Sequence, residues 1–147
     1  MSRSKLYPRD IDLEGGEKHS KVLKLTEDSS SPFYKKTMKQ VFMYALGIGF
    51  RNKKRVPLKK RVGVIPLSTF NDADLSIIKS VAIADKKNID IMFGENIQEM
   101  FKIAEEYANG GIELLDYQVF GPEPGDPDKK MEQALRDILS VTDQGDQ

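Results

Sequence analysis

Residues 97–120 read IQEMFKIAEEYANGGIELLDYQVF. The first half places Ile97, Met100, Phe101, Ala104 and Tyr107/Ala108 at helical spacing, so one stripe is apolar. Gly94-Glu95-Asn96 is a start signal, and the spacing predicts a helix over 95–109. Asn109-Gly110-Gly111 is expected to break it. Ile112–Phe120 then reads either as a helix after the break or as a strand. A helix with one apolar stripe needs other helices to cover that stripe, and the flanking sequence supplies them.

Toward the C-terminus, Gly121-Pro122-Glu123-Pro124-Gly125 is a loop. Asp126-Pro127 suits the cap and first turn of a helix ending near 140. Residues 143–147 are expected to fray. Toward the N-terminus, a helix is expected over 72–86, with Asp72 and Asp74 favoured at its positive end. Ile89–Phe93 is ambiguous. Residues 62–67 (VGVIPL) suit a short strand, which Pro66 confines to an edge. Ser31-Pro32 reads as the start of a helix over 32–49, and Gly47 and Gly49 either end it or admit a close neighbour. Residues 1–30 read as a polar, partly disordered N-terminal extension, with a short strand at 21–26. The expected fold is mainly α: a single compact helical domain over 31–142, of four or five helices with one or two short strands. Phe42, Leu46, Ile78, Val81, Met100, Phe101, Leu135 and Ile138 are its expected core.

The 147 residues carry 23 Lys+Arg and 23 Asp+Glu, a net charge of zero. By itself that argues against a basic nucleic-acid binder. Resolved along the chain, the argument reverses. Residues 1–30 hold six bases and six acids. Residues 31–61 hold ten bases (Lys35, Lys36, Lys39, Arg51, Lys53, Lys54, Arg55, Lys59, Lys60, Arg61) and no acid. Residues 62–147 hold seven bases against seventeen acids. A block of this kind suits phosphate contacts, whose strength falls steeply with salt. It equally suits an acidic protein surface, or plain solvation. The tract RNKKRVPLKKR (51–61) also has the composition of a nuclear import signal.

The rest of the inventory excludes much. With no cysteine there is no disulfide or thiol chemistry. His19 is the lone histidine and reads as a surface residue, not a base. The acid pairs Asp72/Asp74, Asp126/Asp128 and Glu105/Glu106 have ordinary roles, at helix starts or on a polar helix face. No metal, cofactor or catalytic residue is expected. No apolar run reaches membrane-spanning length, and the N-terminus lacks a signal-peptide core. The expected setting is cytoplasmic, with no membrane partner.

Two stretches carry a family resemblance. One is Phe33 with Val41–Phe50 (VFMYALGIGF) and Arg55-Val56-Pro57-Leu58. The other is residues 105–115, EEYANGGIELL. Together, over about residues 31–120, they resemble the small DNA phosphorothioation-associated protein 4 of bacteria and archaea. The resemblance implies a non-enzymatic accessory component of a defence system linked to DNA phosphorothioation, through modification or restriction. It implies DNA and other proteins of that system as partners, and carries over no catalytic residues. The basic block is then expected to grip DNA phosphates without reading bases. The alternative is an adaptor whose basic block docks on an acidic surface of a larger ATPase or nuclease.

Overall fold

The computed structural model describes residues 7–121, 132 and 135–139. In chain order the elements are β1 (Asp10–Glu14), α1 (Glu17–Glu27), α2 (Met38–Arg51), β2 (Arg61–Pro66), α3 (Asp72–Lys86) and α4 (Asn96–Phe120). Short 3-10 turns cover Leu67–Thr69 and Ile89–Met92. Residues 132 and 135–139 are also helical. The architecture is mainly α with one two-stranded antiparallel sheet, as the patterning predicts.

Helix α4 is the central strut. It runs unbroken through Asn109-Gly110-Gly111 for 25 residues, about 37 Å. The expected break is thus overturned, and residues 112–120 are helix. Packing explains why glycine is tolerated here. A Cβ on Gly111 would stand 1.8 Å from the Ala45 carbonyl oxygen, and one on Gly110 would stand 2.0 Å from that of Lys54. On α2, a Cβ on Gly49 would stand 1.9 Å from the Tyr107 oxygen. Ala45 faces Gly111 and Gly49 faces Tyr107, so α2 and α4 run antiparallel. Their backbones nearly touch.

Helix α2 starts later than Ser31-Pro32 suggests. Thr37 is its N-cap, in a capping box with Gln40. Ser31 instead closes a turn, its hydroxyl accepting from the Phe33 N–H at 3.0 Å. Helix α3 keeps its expected bounds, opened by an Asn71–Asp74 capping box.

The larger correction is at the N-terminus. From Asp10 to Glu27 the expected extension is strand and helix. Asp10-Ile11-Asp12-Leu13-Glu14 alternates strictly, the period of a half-buried strand; Ile11 and Leu13 are buried. β1 pairs with β2 from Asp10↔Pro66 to Glu14↔Arg61, with a register shift between Ile11 and Asp12. The strand expected at 21–26 is part of α1, which buries Val22 and Leu25. Each such buried aliphatic side chain contributes roughly 1.5–3 kcal/mol. α1 lies parallel to the second half of α4: Lys18 reaches Glu113, Lys21 reaches Asp116, and Lys24 lies over the Phe120 ring.

Phe42, Leu46, Ile78, Val81, Met100 and Phe101 are buried together. Leu135 is not: it is 40% exposed, and Ile138 is only half-buried. Ile11 and Leu13 of β1 and Val22 and Leu25 of α1 are core residues instead. The cap at Asp126-Pro127 and the tail 143–147 lie outside the described residues.

The glycines differ in what surrounds them. Gly49→Ala or Gly111→Ala must force two backbones apart and is expected to cost about 2 kcal/mol. Gly47→Ala meets nothing within 4 Å among the described residues and should stabilise by up to about 1 kcal/mol, the helix-propensity difference. Urea denaturation midpoints of the three variants check the contrast. Equal effects at all three positions would refute the close-approach account.

Candidate nucleic-acid interface

The ten bases of residues 31–61 have different fates. Four are engaged inside the molecule. Lys39 pairs at 2.8 Å with Asp74, the carboxylate of the α3 capping box. Lys54 pairs at 3.0 Å with Glu113, which also holds Lys18 at 2.8 Å. Arg55 donates to Glu106 at 2.7 Å and to Asp85 at 2.8 Å. Arg61 donates to Glu105 at 2.9 Å and to Asp12 at 3.3 Å.

Glu105 and Glu106 are therefore not on a polar face, as expected from sequence. They are 5% and 4% exposed. Glu105 also accepts the Asp12 backbone N–H at 2.5 Å, closing off part of the outer edge of β1. Burial pushes the Glu105 carboxyl up, against the pull of that N–H and of Arg61. Partial burial disfavours charge on Arg55, but its bonds to Glu106 and Asp85 outweigh that and hold it more firmly protonated than usual. Tyr107 donates to Asp85 at 2.5 Å, and burial together with that bond pushes its hydroxyl up to about 12.

The loop between α2 and β2 is fastened to α4 by its backbone as well. The Val56 N–H donates to the Glu106 carbonyl at 3.0 Å. Asn109 Nδ2 donates to the Val56 carbonyl at 3.0 Å. The Glu14 carboxylate receives the N–H groups of Lys59 and Lys60 at 2.7 and 2.5 Å. Those bonds, led by Lys59, hold Glu14 below the usual carboxylate range, and the Lys18 bond does the same for Glu113. RNKKRVPLKKR is thus a clamped loop whose arginines at 55 and 61 point into carboxylates.

The six remaining bases, Lys35, Lys36, Arg51, Lys53, Lys59 and Lys60, are exposed. None has an acidic partner within ion-pair distance among the described residues. They fall in two groups along the chain. Lys35 and Lys36 precede the N-terminus of α2 rather than lying within the helix. Lys53, Lys59 and Lys60 follow its C-terminus, the last two in the segment held by Glu14. The 14-residue helix sets its own two ends about 21 Å apart. Arg51 lies at the second end, donating to the Ile138 carbonyl at 3.3 Å. Sequence reasoning missed Lys18, which joins Lys54 on Glu113; its signal was the i, i+3 spacing of Lys18, Lys21 and Lys24 on α1. His19, on the same helix, is half-buried.

An open cleft of about 480 Å³ beside β1 is lined by Asp10, Asp12, Arg61, Phe101, Lys102 and Glu105, among others. Two of its carboxylates, Asp12 and Glu105, pair with Arg61. Among the described residues there is no group of three or more acidic or histidine side chains placed to hold a metal. Nor is any helix there long and apolar enough to cross a membrane.

With this geometry in place, comparison with known proteins is informative. A family model described as DNA sulphur modification system-associated protein 4 matches residues 16–139. The match is wider than the resemblance over 31–120. It takes in α1, whose contacts with α4 make it part of the fold. No curated protein and no solved structure matches the chain.

Two expectations follow from the buried ions. Arg55→Ala strands Glu106 in the interior and should cost about 3 kcal/mol, whereas Lys53→Ala should stay within about 0.5 kcal/mol; chemical denaturation separates them. Glu105 gives a pH signature. Its carboxyl is raised in the fold, so the folded state binds the extra proton and ionisation costs stability. The stability of the parent relative to Glu105→Gln should fall as pH climbs from about 4.5 through the raised folded value. A difference that grows with pH across that window would contradict the assignment.

Proposed function

The chain belongs to the family of DNA sulphur modification system-associated protein 4, and on that basis we propose that it contacts DNA phosphates as a non-enzymatic accessory component of a phosphorothioation-linked defence system. Its family places it as an accessory protein of a DNA sulphur modification system. The DNA contact is an inference from charge. The observation that supports it is the set of exposed bases on either side of α2 in the chain, none of them in an ion pair among the described residues. Lys53, Lys59 and Lys60 form one contact, and Lys35 and Lys36 the other. The backbone anchors at Glu14 hold Lys59 and Lys60 in place before any ligand arrives, which lowers the ordering cost of binding. Lys39, Lys54, Arg55 and Arg61 are reassigned to structure, because their charges are met within the fold. No base edge is read in this scheme, so binding is indifferent to sequence. The proposed setting is the cytoplasm, where the modified DNA would be.

The adaptor reading uses the same lysines against an acidic surface of a larger ATPase or nuclease. Binding to a duplex separates the two. Five phosphate contacts predict a log–log salt slope of about −4.5. The triple variant K53E/K59E/K60E should fold normally and lose most of the affinity together with roughly half of the slope. Absence of binding by the parent protein at 50 mM salt would eliminate the DNA reading and leave the adaptor.

A further inference from the structure

Among the described residues, Gly47 has no packing role. It is not a helix end, because α2 continues to Arg51. It is not needed for a left-handed conformation; the glycines with positive φ are Gly16 and Gly94. It is not a packing glycine, because a Cβ there would meet nothing within 4 Å among the described residues. An interior helical glycine is less favourable than alanine, and no contact among the described residues offsets it here. Glycine at such a place lets another backbone approach closely.

Its surroundings indicate what approaches. The exposed residues of α2 are Gln40, Gly47 and Arg51. At spacings of seven and four they share one stripe of the helix. No acid occurs anywhere in residues 31–61. The stripe is uncharged at Gln40 and Gly47; in the chain Lys35 and Lys36 precede it, and Lys53 follows its last residue, Arg51, which also donates to the Ile138 carbonyl. A single small anion cannot bridge ends about 21 Å apart, but a polyanion can. One strand of duplex DNA places a phosphate every 3.4 Å or so, roughly six along this length.

We infer that the outer face of α2 is the surface along which the DNA backbone lies, with Gly47 at the point of closest approach. This rests on the proposed DNA contact and adds to it a direction and a steric requirement. A side chain at position 47 would hold the backbone away from both lysine groups at once.

The test is Gly47→Gln, which adds bulk but no charge and favours the helix. Ala84→Gln, at an exposed position of α3, is the control. Affinity for a 20-base-pair duplex is read by fluorescence anisotropy at 50 mM salt, with denaturation curves confirming the fold. Gly47→Gln should bind at least tenfold more weakly than the parent, and Ala84→Gln should bind as the parent does. K35E/K36E should also weaken binding by about tenfold, because the duplex reaches both ends of the helix. Parent-like affinity for Gly47→Gln overturns the placement, while K53E/K59E/K60E still reports on the DNA contact itself. Parent-like affinity for K35E/K36E overturns the lengthwise orientation. No binding by the parent removes the contact and the placement together.

Discussion

Where α2 crosses α4, Gly49 faces the Tyr107 carbonyl and Gly111 faces the Ala45 carbonyl, with no room for a Cβ at either glycine. That backbone-to-backbone approach sets the spacing of everything else. It brings Phe50 edge-on to Tyr107 at 5.3 Å, and it ends α2 close enough to α4 for the next residues to be captured. Gly110 extends the same logic by one residue, because its missing side chain leaves room for the Lys54 carbonyl. The chain therefore leaves α2 already pressed against α4. Arg55, Val56 and Pro57 follow in contact with Glu106 and Asn109.

Seen this way, the two stretches that carry the family resemblance are two halves of one joint. ALGIGF and RVPL lie on the α2 side, and EEYANGGIE on the α4 side. The glycines remove bulk, the glutamates receive the arginines, and Asn109 holds the loop carbonyls. A buried carboxylate is costly unless it is paired and hydrogen-bonded, and Glu105 and Glu106 are both. Their pairing stabilises one loop conformation over others, since Arg55 and Arg61 must each reach a specific carboxylate. The loop's remaining lysines are exposed as a consequence.

The ten bases of residues 31–61 thus divide into two sets. The acidic excess of residues 62–147 lies partly at Asp74, Asp85, Glu105, Glu106 and Glu113, which neutralise four of those bases. The zero net charge is in part a set of internal ion pairs between the block and the body. The bases left over lie before α2 and after it, with Lys59 and Lys60 held by the Glu14 carboxylate through their backbone N–H groups.

The α2, α3 and first-half α4 helices were legible from sequence because apolar spacing is a local property. So was the β2 strand, whereas the Thr37 cap was missed because Ser31-Pro32 offered a competing start signal. The alternation of Asp10–Glu14 and the lysine spacing of α1 were equally local signals, but the surrounding charge made residues 1–30 read as an extension. Tertiary structure alone decided three matters. It decided that Asn109-Gly110-Gly111 continues a helix, because only a neighbouring backbone explains absent side chains. It decided that Glu105 and Glu106 are buried, because a carboxylate goes inside only where a partner is brought to it from elsewhere in the chain. And it decided which bases remain exposed, because charge along a sequence does not say which carboxylate folds back to meet it.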